Sequence, residues 1–557
     1  MNYFLTYTIY VVILSVLMGL STWKLFKKMG YNPLLAFVPF YNYYIVQKET
    51  KHPKWWVAMA YLPIVGPIMM TVFHLYLMKK FGKSSIGEKL LTILLPFIYM
   101  AFVNYGKPEL DEPAFYLPGE EIEGEGKKKE TFFGSITFAV VFATIIHTFI
   151  TQPFGIPTGS MERTLLVGDF LFVNKLNYGY RLPMRPLSIP FLQSTIFDTG
   201  EQGNPKDDPK SYVDKVALPY FRLPGWEKPK KNDIVVFNYP GDSVHTAIDR
   251  KDPYVKRLVA AAGDVVEFKQ GRLFVNGKPE QKMGDAVVQH AYHIKTDQIL
   301  DINFIYNAYG FLPVYVQEVG DGTYDYRFSG LSEKVANEFK EIPGVISIKE
   351  DLRPQGEQDI TYYPDIKRIQ EEQRMVYSNK INYSSTIFPH NKNWNVDWYG
   401  PLKVPQKGDV VTLTQENLPA YQKMIEEYEG NTFENVNGQF KINGVVTNQY
   451  TVKYDYYMMI GDNRDASLDS RFFGYVPETH IVGKPMFTWL SIEGAFPDQN
   501  STYQAPGKKI RWDRMFKATN TGEVNKTSYW WLAAIILILF FGWEYFEKLF
   551  KKKDKED

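Results

Sequence analysis

FFGSITFAVVFATIIHTFITQPFGIPTGSMERTLLVGDF, residues 132–170, passes directly from an apolar run into a loop and then toward an alternating segment. Residues 132–150 contain no Asp, Glu, Lys or Arg. Their length and composition predict a transmembrane helix. From Asp169 the pattern changes to DFLFVNKL, whose alternation of apolar and polar residues has the period of a strand. The stretch therefore predicts a membrane segment feeding a β domain. Between the two lies Ser160, ten residues after Ile150. Even a fully extended chain keeps it within about 35 Å of the end of the apolar segment. Any chemistry built on it is confined to the membrane surface. Two readings stand at this point: a loop serine capping the segment that follows, or a nucleophile held against the bilayer.

The chain of 557 residues is long enough for several domains. Lys plus Arg is 63 and Asp plus Glu is 62. That balance points to no nucleic-acid partner. Tyr and Phe number 39 each, which suits β-rich domains and membrane interfaces. No cysteine is present, which excludes disulfides, thiol nucleophiles and thiolate metal sites. Further apolar segments precede the quoted stretch. Residues 3–20 are a candidate span, followed by Lys24, Lys27 and Lys28; residues 32–46 are short, aromatic and proline-broken; residues 55–78 should be kinked at Pro63 and Pro67; residues 90–103 are at the short end. Residues 529–546 form a second strong candidate span, flanked by aromatics.

Lys127–Lys129 precede one strong span and KKKDKED follows the other. The positive-inside rule puts both basic clusters in the cytoplasm, so residues 151–528 lie outside, tethered at both ends. The expected organisation is an N-terminal membrane region (1–105), a cytoplasmic linker (106–130), a transmembrane helix (131–151) and a first β part (152–268). An insertion (269–453), a last catalytic segment (454–527), a C-terminal transmembrane helix (528–547) and a basic tail (548–557) follow. The external region reads as mainly β, with strands such as NDIVVFNY and hairpin turns at Asn276-Gly277 and Asn443-Gly444. An internal echo links KPKKNDIVVF to VPQKGDVVTL and GRLFVNG to GQFKING. It is either a duplicated β unit or the same turn chemistry used twice.

A nucleophilic serine needs a base. Eight histidines are present, none in a local pattern typical of a serine triad, and the G-x-S-x-G elbow is absent around Ser160. His290 and His293 are spaced like a metal pair but lack a matching carboxylate pattern, so no metal is expected. Lysine is the remaining helper. Its amine must be neutral to act as a base, which requires its pKa to fall by roughly 3 units, as burial among apolar residues achieves. Lys256 in PYVKRLVAAAGD has that setting, and strand alternation turns Arg257 to the opposite face. Lys175 in LFVNKLNY is its competitor. A third stretch, MMIGDNRDASLDSRFFGYVP (residues 458–477), crowds Asp462, Asp465, Asp469, Arg464 and Arg471 between apolar ends. It lacks the glycine and glutamate of a calcium loop, and Asp–Arg pairing is the simpler reading.

Together these stretches resemble the bacterial type I signal peptidase family, serine proteases that remove signal peptides. PTGSMERTLLVGDFLFVNK resembles the nucleophile box, NDIVVFNYP the next strand box, YVKRLVAAAGDVV the lysine box and GDNRDASLDSRFFGYVP the last. The resemblance implies a multi-pass membrane protein with a mainly β extracytoplasmic catalytic domain carrying a long insertion, in the bacterial cytoplasmic membrane. It implies Ser160 as nucleophile, Lys256 as general base, and Thr158 with the Ser160 amide as oxyanion donors. Ser467 matches a lysine-orienting serine and Asp469 with Arg471 a structural pair; Asp462 and Arg464 lie in the same box. The partners implied are secretory precursors with small residues before the cleavage site and the lipid bilayer, with no cofactor, metal or nucleic acid. Two other functions are compatible with the chain: a membrane-anchored binding protein that has lost activity, and a Ser-Lys processing peptidase with few substrates. Three departures stand out. Arg163 occupies the family's usual proline, Ala260–Ala262 replace glycine and proline, and Ala466 replaces a common asparagine.

Overall fold

The structure, a computed structural model, describes residues 2–111, 132–197, 208–245, 247–281, 286–310, 312–320, 322–364, 377–382, 385–436, 438–496, 508–519 and a few isolated positions. Of the C-terminal segment 529–546, only residues 530, 531, 533–535 and 538 are among them. The chain forms two compact units, Met1–Thr151 with Tyr180–Pro224 and Val244–Asp252, and Gln152–Gly179 with Gly225–Ser243 and Pro253–Asp557.

The first unit is helical. Asn2 caps the helix Tyr3–Lys28, accepting from the Leu5 amide at 2.9 Å, and Lys27 and Lys28 occupy its last turn. Among the described residues it is the one unbroken helix long and apolar enough to cross a membrane. Residues 55–78 are broken, not merely kinked. Trp55–Met59 and Val65–Lys79 are separate helices, with Pro63 in the break and Ile64 at φ +67°. Ile86–Leu94 and Pro96–Tyr105 meet at 119°, a broken span or a re-entrant loop. The quoted apolar stretch is α-helical over Phe132–Ile145 and ends in a π turn, Ile146–Ile150. Met18, Phe26, Val46, Phe73 and Met100 are core residues of this bundle. A Cβ on Gly19 would fall 2.2 Å from the Phe37 ring, so that glycine allows the close approach. Two segments from the middle of the chain join the unit: the Tyr3 hydroxyl donates to the Pro183 carbonyl and the Ile64 amide to the Pro186 carbonyl, both at 3.1 Å.

The second unit is mainly β, as the alternation predicts. Its main sheet contains β1 (Thr151–Gly155), β2 (Asp169–Asn174), β3 (Ile234–Asn238), β4 (Pro253–Ala260), β5 (Tyr456–Ile460), β6 (Val476–Pro477) and β7 (Ile481–Glu493). They lie side by side as β6-β5-β4-β3-β7-β2-β1, with two short strands added to β7. Central strands β3 and β5 are buried at every position, whereas β2 alternates. This is the expected contrast between strands covered on both faces and on one. A separate four-stranded sheet, with Tyr292, Ile294, Phe328 and Phe339 in its core, is built from residues 290–350.

The internal echo is turn chemistry. Before Asp169, Asp233, Asp264 and Asp409 the same turn recurs. Each Asp carboxylate accepts the amide three residues back, and each Asp amide donates to that residue's carbonyl. The residue preceding the Asp has positive φ in all four: Gly168, Asn232, Gly263 and Gly408. Glycine and asparagine are the residues that accept this conformation. The strands that follow Asp233 and Asp409 pair with different partners in different sheets.

Candidate active site

The loop after β1 forms a single 3₁₀ turn, Gly159–Met161. Met161 anchors it in a small apolar core with Ile156, Leu165, Leu171 and Ile234. Thr158, extended and exposed, and Ser160, only 6% exposed, both line an open cleft of about 470 Å³. Phe154, Ile156, Val236 and Tyr254 supply apolar walls.

Lys256 enters the same cleft from β4, where it sits opposite Val235 of β3. Its Nζ is hydrogen-bonded to Ser160 Oγ at 2.6 Å and to the Val255 carbonyl at 3.1 Å. The side chain is 4% exposed. Burial pushes its pKa down to about 8, against the opposing pull of Asp469 and Asp462. Lys175 follows the end of β2 and is not among the cleft-lining residues. Alternation along β4 does turn Arg257 the other way. Its guanidinium grips Asp462 through two bonds of 2.8 and 2.7 Å.

The 458–477 stretch forms the far wall. Asp469 binds Arg471 at 2.9 and 2.8 Å, caps the Ser470–Phe473 helix by accepting the Arg471 amide, and accepts the Gly461 amide at 3.2 Å. Arg464 does not pair with Asp462. It forms a fork with Glu280, 2.8 Å to each carboxylate oxygen. Ser467 lines the cleft, but its buried Oγ has no hydrogen-bond partner. His290 and His293 do not converge. Nδ1 of His290 is 3.8 Å from Asp465, whereas His293 bonds Asp325 at 2.8 Å.

Three contributors were not singled out from the sequence. Gly461 has no room for a side chain: a Cβ would lie 2.2 Å from Ser467 Oγ and 2.5 Å from the Ser160 carbonyl. Asn463 donates to the Gly159–Met161 turn, its amide to the Ser160 carbonyl and its Nδ2 to the Gly159 carbonyl, both at 3.1 Å. Gln289 pairs its backbone with the same loop, donating to the Asp462 carbonyl at 2.9 Å and accepting the Arg464 amide at 3.0 Å. Gly461 and Asn463 lie inside a motif that drew notice for its charges. Gln289 has no local signal, because its role depends on where the intervening chain returns.

Arg163 gains an explanation. Its φ is +67°, which the ring of proline forbids. Its guanidinium nitrogens lie 3.7 and 3.8 Å from where a Cβ on Gly310 would stand, beside the C-terminus of the helix Ile302–Tyr309. A cation is favoured at that end of a helix. Arg163→Pro is expected to destabilise the turn by about 1–3 kcal/mol and to lower cleavage. Arg163→Gly should keep the turn. Thermal unfolding and a cleavage assay on the two variants check this.

A family profile described as signal peptidase, peptidase S26 matches residues 129–307 and 403–490. A second, described as a family of unknown function (DUF5684), matches residues 34–113 in the helical unit. Signal peptidase I of Buchnera aphidicola subsp. Schizaphis graminum is 24% identical over 375 residues, which cover 66% of this chain and 78% of that protein. Signal peptidase I of Helicobacter pylori strain J99 is 23% identical over 394 residues, covering 70% and 92%. The Pseudomonas fluorescens signal peptidase I is 32% identical over a shorter stretch of 148 residues, 26% of this chain and 38% of that protein. The matched segments carry Ser160, Lys256 and the 461–471 loop, and over them the chain is similar to the signal peptidase family, peptidase S26.

Proposed function

We propose that this chain is a membrane-bound serine endopeptidase that removes N-terminal signal peptides from translocated precursors, with Ser160 as nucleophile and Lys256 as general base. The observation that carries the reading is the 2.6 Å contact between Nζ and Oγ, made by a lysine whose burial brings its pKa to about 8. Neutral Lys256 takes the Ser160 proton as Oγ attacks the scissile carbonyl. The Thr158 hydroxyl and Ser160 amide stabilise the oxyanion, about 3–4 kcal/mol per donor in comparable sites. Lys256 then passes its proton to the leaving amine, and water, deprotonated by the same lysine, releases the acyl enzyme. The orphaned Ser467 hydroxyl in the same cleft is an acceptor for the ammonium once it forms. Asp469 with Arg471 and Asp462 with Arg257 hold the walls, and Arg464 ties them to Glu280.

The precursor enters extended. Edge strand β1, whose Phe154 and Gly155 line the cleft, offers backbone pairing. Apolar walls beside a shallow opening suit the small residues of A-x-A cleavage sites. The basic clusters after residue 20, before residue 132 and at the C-terminus support several spans and an extracytoplasmic catalytic unit in the cytoplasmic membrane of a bacterium.

Incubating detergent-solubilised protein with a panel of precursors tests the activity. Cleavage of many precursors after small residues is expected. Cleavage of one or two would favour a dedicated processing peptidase, and cleavage of none a binding protein. The pH profile tests the base. Because neutral lysine is the active form and its pKa is lowered to about 8, kcat/KM should rise with pH and level off above about 8. A limb close to the ordinary lysine value of 10.5 would remove Lys256 from the role.

A further inference from the structure

We infer that Asn463 is a positioning residue that aims the oxyanion-binding amide of Ser160; the inference rests on Ser160 being the nucleophile. The Asn463 Nδ2 holds the Gly159 carbonyl at 3.1 Å, and that carbonyl also accepts the Glu162 amide at 3.0 Å. The Asn463 backbone amide holds the next carbonyl, that of Ser160, at 3.1 Å. In a trans peptide unit the C=O and N–H point in opposite directions. The Gly159 carbonyl and the Ser160 N–H belong to one such unit. Pulling the carbonyl toward Asn463 therefore turns the Ser160 N–H away from it. The second bond does the same to the Met161 N–H. Thr158 and Ser160 line the cleft, whereas Asn463 is buried and does not. The side chain thus acts on the reaction only through the peptide it orients.

The surroundings hold the carboxamide in that rotamer. A Cβ on Gly330 would fall 2.9–3.2 Å from its Oδ1, Nδ2 and Cγ. Glycine at 461 lets the loop close onto the Ser160 carbonyl, and Gln289 pins the backbone on both sides of Asn463. The Oδ1 is buried without a partner, a desolvation cost that a residue serving only to fill space would avoid.

The test compares N463L, similar in shape but without donors, with the wild-type full chain in detergent. Deleting an oxyanion donor outright costs about 100–1000-fold in kcat. A misaimed amide should cost less, so kcat is expected to fall about 10–100-fold with KM changed less than about 3-fold. Affinity for a peptide aldehyde, whose adduct with Ser160 carries the oxyanion, should fall in parallel. Affinity for an uncleavable peptide of the same sequence should hold. In N463D only the protonated carboxyl can donate to the Gly159 carbonyl, so the activity ratio of N463D to wild type should rise as pH falls. Unchanged kcat and aldehyde affinity in N463L would overturn the proposal. So would equal losses for the aldehyde and the uncleavable peptide, or a flat N463D ratio, which needs no second fold to interpret. Cleavage by S160A would instead overturn the nucleophile assignment; inactive S160A with an unaffected N463L would overturn the positioning role alone.

Discussion

Ser160→Ala and Lys256→Met are each expected to lower precursor cleavage by about 10⁴-fold or more, since members of a nucleophile–base pair act as a unit. The two variants should differ in stability. Ser160→Ala removes one hydroxyl from a site that keeps its lysine. Lys256→Met removes a buried amine whose pKa falls from 10.5 to about 8 on folding. That shift is a penalty of about 3 kcal/mol against the charged form. The sign follows from proton binding. Between pH 8 and 10.5 the unfolded chain binds more protons at this position, so wild-type stability rises with pH across that window, and the penalty is full below about 8. Lys256→Met should therefore be more stable than wild type near neutral pH and lack the rise above pH 8. Denaturant unfolding at pH 7 and 10, beside a cleavage assay, measures both. A Lys256→Met protein that is inactive and also markedly less stable would indicate that the lysine holds the fold instead.

The second large effect is expected at Arg257 and Asp462. Both side chains are 1% exposed, and their two-bond contact joins β4, which carries Lys256, to the loop that holds the Ser160 carbonyl. Asp462 also accepts the Thr164 hydroxyl at 2.7 Å, and Arg257 donates to the Asn232 carbonyl at 2.9 Å. Burial alone would raise the Asp462 pKa; Arg257 reverses this and holds it below the ordinary value. Removing either partner leaves a buried charge without its counter-ion, at a cost of about 3–5 kcal/mol. Arg257→Leu or Asp462→Leu should thus destabilise the catalytic unit severely and cut activity by misplacing both reacting groups. The double variant R257L/D462L should be less destabilised than the sum of the two. Because the folded Asp462 pKa is depressed, its contribution is present above the ordinary carboxylate range and lost as pH falls through the folded value. The wild-type protein should therefore lose stability in acid faster than the double variant. A double-mutant cycle followed by chemical unfolding decides this, and simple additivity would mean that the pair is not coupled.

Much of the chain was legible because the deciding signals are local. An apolar run, a period-two strand, an Asn-Gly hairpin or an aspartate turn is written within a few adjacent residues. The hairpins at Asn276 and Asn443 have positive φ at both central positions, as the dipeptides predict. The apolar neighbours of Lys256 favoured it as a buried amine but left Lys175 as a competitor, because both lie in strand-like runs. The broken helices at 60–64 and 94–96 were less legible, since a hydropathy pattern records composition and not the direction of the axis. The echo between residues 228–237 and 404–413 was a true local signal of a shared turn and silent about which strands pair.

By itself, the sequence indicated a β-rich unit following an apolar segment, a serine ten residues beyond that segment, and two lysines, Lys175 and Lys256, in strand-like settings. Tertiary structure decided which groups meet. Ser160 and Lys256 are 96 residues apart in the chain and touch because the Gly159–Met161 turn packs beneath β4. Arg464 finds Glu280 rather than its neighbour Asp462, Arg163 reaches the end of a distant helix, and Asn463 grips the peptide between Gly159 and Ser160. The physical reason is the range of the forces involved. Propensity and periodicity act over a few residues, whereas strand register and loop closure bring together groups that share no local pattern.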